Sequence, residues 1–184
     1  AADQAGANAV KFQMRDMDTL YRSGQTSNTS EDLGVEYTLD LLSQSFLSTE
    51  QLIQMFDYAL KLNLTSICTP WDEKSVQVLQ EYGISGFKIA SADLTNHPLL
   101  SLIASTGTPV LLSTGMSSES EIIDAAGVLK TGVSPFALLH CNSTYPAPFR
   151  DIRLDYMSRL REIGNCLVGY SGHERGHHVV IAAV

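Results

Sequence analysis

Residues able to bind or transfer charged groups recur at the carboxyl ends of six short apolar runs. They are Lys11 and Gln13 in AVKFQ, Thr69 in TSICTP, Lys88 and Ser91 in FKIAS, Ser113 in VLLSTGM, Ser143 and Tyr145 in FALLHCNSTY, and Ser171 and His173 in VGYSGH. In a parallel α/β barrel the carboxyl ends of the strands meet at one mouth, where such barrels carry out chemistry. The pattern therefore predicts an enzyme whose site is assembled from several strands.

Two of these runs contain a lysine. Lys11 and Lys88 both lie in apolar segments, and burying an ammonium group is unfavourable unless it meets an anion. Hydroxyl groups on neighbouring runs, such as those of Ser91 and Ser113, are donors of the kind that bind phosphate or carboxylate. The set predicts an anion-binding site. For either lysine alone, a structural ion pair is an equally good interpretation.

The histidines are less informative on spacing alone. His173 follows a strand-like run, so it could be a metal ligand, a general base or an ordinary loop residue, and the ordinary role is favoured. The segment H-E-R-G-H places a glycine beside His177, which disfavours the helical zinc-binding form of this pattern. His140 and Cys141 are neighbours on a strand-like run and should point to opposite faces, so they do not form a nucleophile–base pair.

Two aromatic residues flank the predicted mouth. In YPAP the prolines restrict the backbone and make a rigid turn, which would place the ring of Tyr145 at the mouth, although simple packing is an equally good interpretation. Trp71 follows Pro70 directly after a strand-like run. It is interpreted as a loop anchor.

Strand-like and helix-like segments alternate along the chain. The predicted strands cover 9–13, 65–69, 86–91, 109–114, 136–141 and 167–171. Helix starts are predicted at Ser48, Asp72 and Ser118, two of which have the glutamine or glutamate of a capping box three residues on. Residues 1–8 are predicted to end a helix and 151–163 to form one.

Such alternation implies right-handed βαβ units and a parallel sheet. The sheet could be open and doubly wound, or part of a (β/α)8 TIM barrel. No glycine-rich nucleotide loop follows the first strand, which weakens the first alternative. Polar residues at the ends of all the strands favour the barrel, since an open sheet gathers its site at one crevice.

Composition excludes several classes of protein. The chain has 184 residues, 44% of them hydrophobic, and a net charge of −8, which fits a folded protein that does not bind nucleic acid. No apolar run approaches the roughly 18 residues of a membrane span. The three cysteines are widely spaced and predict reduced thiols in a cytoplasmic protein.

Residues 20–47 are long for a barrel connection and suggest a mobile lid, a partner contact or a disordered surface loop. The chain starts without methionine and stops in the apolar run IAAV, and a full barrel usually has roughly 250 residues. Residues 1–184 are therefore expected to form a partial barrel domain of about six βα units, without the first and last strands.

Five of the motifs occur together in one known family. AVKFQ, FKIASADLTN, VLLSTGM, LLHCNSTYPAP and VGYSGHERG resemble, in order and approximate spacing, the sialic acid synthase family, from residue 5 to the end of the chain. The resemblance implies condensation of phosphoenolpyruvate with an N-acylated amino sugar such as N-acetylmannosamine, giving N-acetylneuraminate, legionaminate or pseudaminate. It also implies Mn²⁺ or Mg²⁺ and a homodimer whose subunits carry a small antifreeze-like domain after the barrel.

The resemblance also implies roles for individual residues. The phosphoenolpyruvate cradle would consist of Lys11, Thr69, Lys88, Ser91, Ser113 and Ser171, with Ser143 nearby. Gln13 and Tyr145 would contact the sugar. His173 would be one of two metal ligands, and it joins Lys11 and Lys88 as a catalytic residue.

The sequence departs from this family in several ways. The first-strand acidic and Asn-His segment, the segment with the second metal histidine and the antifreeze-like domain are not found in it. Gly172 stands where many bacterial members have aspartate. We therefore expect this chain alone to be inactive and to bind metal poorly. Alternatives are a 3-deoxy-sugar-acid synthase, a Schiff-base aldolase, or a truncated barrel without catalytic activity.

Overall fold

The computed structural model describes residues 1–20 and 46–184. Its strands are β1 (Ala9–Met14), β2 (Thr65–Pro70), β3 (Gly86–Ile89), β4 (Val110–Ser113), β5 (Phe136–Cys141) and β6 (Leu167–Ser171). Its helices are α1 (Met17–Leu20), α2 (Thr49–Lys61), α3 (Glu73–Tyr82), α4 (His97–Ala104), α5 (Glu119–Thr131), α6 (Tyr156–Gly164) and α7 (His178–Ala183). The predicted alternation is confirmed.

The strands form one parallel sheet in the order β1-β2-β3-β4-β5-β6. A doubly wound sheet reverses its order at a switch point, and this sheet has no such reversal among the described strands. Sequential winding is the pattern of a (β/α)8 barrel. The register pairs Gln13 with Thr69 and Cys141 with Ser171, so the polar strand ends lie at the same edge.

Alternation along the strands separates the core from the site. On β3, Phe87 and Ile89 belong to the hydrophobic core beneath the helices, whereas Lys88 between them points to the opposite face. On β4, Val110 and Leu112 join the same core, and Ser113 shares the face of Lys88. A period of two therefore places apolar residues under the helices and polar ones on the inner face.

The helices begin where their caps predict. Ser48 and Ser118 form capping boxes with Gln51 and Glu121, and the side chain of Asp72 accepts from the backbone N–H of Ser75. These contacts satisfy backbone donors that would otherwise lack a partner at the helix N-terminus. These contacts thereby fix where the three helices begin.

The spacing of apolar residues in α2 predicts a buried stripe of Leu52, Met55, Phe56, Ala59 and Leu60, and this prediction is only partly correct. Leu52, Phe56 and Ala59 are buried, but Met55 is 41% and Leu60 69% exposed. The buried residues follow the face that packs on β1 and β2, where Phe12 contacts Phe56 edge-to-face. The sheet covers only the face of α2 that carries Leu52, Phe56 and Ala59, so Met55 and Leu60 remain exposed.

Three predicted boundaries are wrong. Residues 2–6 form hydrogen-bonded turns ending at Gly6, with φ 78°, rather than a helix end. Strand β3 stops at Ile89 because Ser91–Asp93 winds into a 3₁₀ turn. Helix α6 begins only at Tyr156, since Ile152 is extended. The prediction for 20–47 falls almost wholly outside the described residues.

No helix among the described residues is long and apolar enough to cross a membrane.

His140 is a buried imidazole on the core side of β5. It is 8% exposed, packs against the rings of Tyr156 and Tyr170, and its Nε2 atom has no partner within the described residues. Burial lowers the pKa of His140, an effect that Asp155 partly opposes. As pH falls below the ordinary histidine value, the unfolded chain therefore takes up a proton before the folded protein does.

We expect the protein to lose stability between pH 7 and pH 5, and His140→Phe to lose less. Urea denaturation at both pH values measures the free energy of unfolding. His97→Phe, at the exposed start of α4, is the control and should keep the full loss. An unchanged loss in His140→Phe would contradict the burial of a neutral imidazole.

Candidate active site

A cavity of about 500 Å³ opens at the carboxyl end of the sheet. Every residue predicted for the site lines it, from Lys11 on β1 to His173 after β6. The residues come from all six strands or the turns that follow them, as expected where parallel strand ends meet. The structure thus brings together the whole predicted set.

The lysines lie in this cavity without a counter-charge. No carboxylate lines it in the described part of the chain, and neither Lys11 nor Lys88 forms an ion pair with another described residue. The structural ion pair considered for either lysine is therefore not found here. Two ammonium groups facing one space raise the local concentration of anions despite the net negative charge of the chain.

Lys88 is the more buried of the two, at 8% exposure. Its Nζ atom donates to the hydroxyl of Ser113 at 2.6 Å and to the carbonyl of Ile89 at 3.0 Å. Burial, followed by repulsion from Lys11, lowers the pKa of Lys88 to about 8. The amine is therefore about half protonated at pH 8, and a bound anion would favour the charged form.

Gly115, which the sequence-based prediction missed, allows two hydroxyl groups to converge. Its N–H donates to Ser91 Oγ at 3.0 Å. A Cβ atom there would lie 2.9 Å from Ser91 Oγ and 3.1 Å from the carbonyl oxygen of Cys141, and it would collide with Ser143 Oγ. The signal available in the sequence was a glycine directly after Thr114, the last residue of the predicted strand 109–114.

The imidazole of His173 has a defined orientation. Its Nδ1 atom lies 2.6 Å from the carbonyl oxygen of Asn142, and a carbonyl only accepts, so Nδ1 carries the proton. Nε2 is left with its lone pair and accepts from the hydroxyl of Tyr145 at 2.7 Å. The two rings stack with centroids 3.9 Å apart.

This orientation suits a single metal ligand, since ligating imidazoles commonly donate their other N–H to a carbonyl. The described residues contain no group of three His, Cys, Asp or Glu side chains that could hold an ion. His177 does not line the cavity, and Gly176 has φ 84° just before α7 begins. The helical zinc pattern is therefore not formed.

At the mouth, Trp71 lines the cavity beside Gln13. Its indole N–H donates to Gln13 Oε1 at 3.0 Å, and Arg15 Nη2 donates to the same oxygen at 3.1 Å. The guanidinium lies 4.3 Å above the indole ring. Trp71 is thus more than a loop anchor, because it orients a residue of the site.

Comparison with known proteins identifies the relatives of this chain. The model of the NeuB family matches residues 1–184. The chain belongs to the NeuB family. It is 37% identical to the N,N'-diacetyllegionaminic acid synthase of Campylobacter jejuni over 193 residues, covering 100% of this chain and 57% of that protein. For the enzyme of the same name from Legionella pneumophila the identity is 34%, with 100% and 54% covered.

Solved structures share the fold of this chain. The sialic acid synthetase of Leptospira borgpetersenii, solved with citrate, superposes with a TM-score of 0.87 at 32% identity, covering 99% of this chain and 60% of that one. The DAHP synthase of Thermotoga maritima, at 16% identity and a TM-score of 0.66 over 94% of this chain and 45% of that one, shares the fold alone. The described strands and helices are thus part of a (β/α)8 barrel. The chain spans about half the length of the curated relatives it matches.

We expect Gly115→Ala to weaken the binding of inorganic phosphate by about tenfold or more. The added methyl displaces two hydroxyl donors, and a hydrogen bond to a charged group contributes about 1.5–3 kcal/mol. Because the methyl also crowds its neighbours, the free energy of unfolding should fall by about 1–3 kcal/mol. Calorimetric titration and urea denaturation measure the two effects.

Gly127→Ala is the matched control, since a methyl at Gly127 meets open space. It should leave phosphate binding unchanged. Equal affinities for Gly115→Ala and the wild type would show that the two hydroxyls do not bind the anion.

Proposed function

We propose that the protein containing this chain condenses phosphoenolpyruvate with an N-acylated amino sugar, such as N-acetylmannosamine, to give a nonulosonic acid of the sialic type. The observation that carries this proposal is the pair of uncompensated ammonium groups, Lys11 and Lys88, in a hydroxyl-lined cavity. Membership of the NeuB family and relatives named as legionaminic acid synthases support it.

The cavity has two chemically different regions that match the two substrates. Lys88 and Ser113 are buried and suit the phosphate and carboxylate of phosphoenolpyruvate, with Lys11, Thr69 and Ser171 beside them. Tyr145, which is 73% exposed, and Gln13 lie at the mouth and suit the larger sugar. Phosphoenolpyruvate would therefore bind deeper than the sugar.

The proposed reaction forms one C–C bond and breaks one C–O bond. The methylene carbon of phosphoenolpyruvate attacks the aldehyde carbon of the open-chain sugar, whose oxygen takes a proton. Water adds to the resulting cationic carbon and loses a proton. The new hydroxyl group then loses its proton as the C–O bond to phosphate breaks. The leaving phosphate takes up that proton, so the products are a ketone and inorganic phosphate. Lys11 and Lys88 would hold the phosphate and stabilise the charge that moves onto it.

We also propose that His173 is one ligand of a divalent cation, Mn²⁺ or Mg²⁺. Its Nε2 lone pair accepts from the hydroxyl of Tyr145 in this structure and would fit this role once that hydroxyl turns away. Such a cation, when bound, supplies Lewis-acid polarisation of a carbonyl. Among the described residues His173 is the one histidine that lines the cavity, and no group of three His, Cys, Asp or Glu side chains there could hold the ion.

One observation favours a second candidate, a Schiff-base aldolase. An amine must lose its proton before it attacks a carbonyl, and the pKa of Lys88 is lowered to about 8. Borohydride trapping with a keto substrate separates the two functions. A covalent adduct on Lys88 would favour the aldolase, whereas the synthase gives none.

We expect Lys88→Ala in the full-length protein to slow phosphate release from phosphoenolpyruvate plus N-acetylmannosamine by about a hundredfold or more, because a preorganised charge is removed. A phosphate-release assay measures the rate. Lys61→Ala, at the exposed end of α2, is the control and should retain the wild-type rate. Near-normal phosphate release by Lys88→Ala would contradict the proposal that Lys88 holds the phosphate.

Phosphoenolpyruvate binding should take up a proton near pH 8. With a pKa of about 8, Lys88 is roughly half neutral at that pH, and the bound anion restores the ammonium form, an uptake of roughly half a proton. Affinity should therefore weaken as pH rises through 8. Calorimetry in buffers of different ionisation enthalpy measures the uptake.

Lys88→Arg keeps the charge at every accessible pH, so it should bind without this uptake. A wild-type binding enthalpy that does not depend on the buffer would contradict the lowered pKa.

A further inference from the structure

The neighbours of the Gln13 side-chain amide allow only one orientation of its oxygen and nitrogen atoms. The indole nitrogen of Trp71 and a guanidinium nitrogen of Arg15 lie 3.0 and 3.1 Å from the same amide atom. Indole and guanidinium groups can only donate. The shared atom must therefore be the amide oxygen, independently of how the two ends of the amide are assigned.

The amide nitrogen is consequently the group left for a ligand. It makes no hydrogen bond to any described residue. Gln13 lies two residues after Lys11 on β1 and lines the same cavity, because residues two apart on a strand share a face. Two N–H donors are thus available at the mouth.

The neighbours of Gln13 hold this arrangement. The backbone N–H of Trp71 donates to the carbonyl of Met14 at 3.1 Å, extending the pairing of β1 with β2. Arg15 stacks on the indole ring at 4.3 Å and is attracted by the carboxylate of Asp93. Both donors are therefore anchored from a second side, and the amide cannot turn over without losing two hydrogen bonds.

We propose that Trp71 and Arg15 are positioning residues that set the polarity of Gln13, so that the mouth selects an acceptor oxygen on the amino sugar. This inference rests on the proposed function, in which Gln13 contacts the sugar. A carbonyl or hydroxyl oxygen satisfies the two N–H groups, whereas a protonated amine presents only donors to them. The site therefore discriminates by hydrogen-bond direction at this position.

The first test follows the hydrogen bond itself. Trp71 is the one tryptophan of the sequence, so the indole N–H gives a single ¹H–¹⁵N correlation peak. Gln13→Leu removes the acceptor and should move this peak upfield and speed its exchange with solvent. Gln13→Glu keeps an oxygen acceptor and should retain the downfield position. A peak that Gln13→Leu leaves in place would overturn the inference.

The second test separates the two substrates in the full-length protein. Trp71→Phe keeps the ring but removes the N–H donor, and we expect the KM for N-acetylmannosamine to rise about three- to tenfold, the effect of one hydrogen bond. The KM for phosphoenolpyruvate should stay unchanged. Gln13→Glu, which replaces the donors by an acceptor, should raise the sugar KM at least as much.

Tyr82→Phe is the matched control, since it removes an aromatic hydrogen bond to Asp57 outside the cavity. It should change neither KM. Equal rises in both KM values for Trp71→Phe, or none, would overturn the positioning role. If the wild type fails to condense the two substrates while the indole peak behaves as expected, the proposed function fails and the orientation of Gln13 stands.

Discussion

Uncompensated positive charge on the inner face of the sheet is the constraint on which the rest of the site depends. Lys88 lies among buried residues with no carboxylate nearby in the described cavity, and desolvation opposes its ionisation. The protein accommodates it through a short contact with Ser113 and a lowered pKa. An arrangement that is unfavourable without an anion becomes favourable with one, so the site is prepared for a charged ligand before that ligand arrives.

The two ends of the cavity are organised by different physical means. At the deep end, charge and converging hydroxyls suit any compact anion and say little about its shape. At the mouth, the directions of individual hydrogen bonds decide what fits, through the amide of Gln13 and the imidazole of His173. This division would let one end stay constant while the other adapts to different sugars, in keeping with a family whose relatives carry different product names.

Local rules in the sequence were enough to predict the strands, the capped helices and the residues of the cavity, because strand periodicity and capping act over a few residues. They failed where distant packing decides the outcome, as with the exposure of Met55 and Leu60 or the late start of α6. Gly115 and the contact between Trp71 and Gln13 join residues far apart in sequence. No single stretch of sequence contains that information.

The alternation of core and cavity residues has a consequence for how such a site can change. On β3, Phe87 and Lys88 are adjacent in the chain but belong to different environments. Inserting or deleting one residue in the strand would exchange them, placing a charge beneath the helices and a phenyl ring in the binding site. The same two-residue alternation therefore positions both the core residues and the cavity residues. Substitutions and changes in the loops leave this alternation intact, whereas a one-residue insertion or deletion within a strand disrupts it.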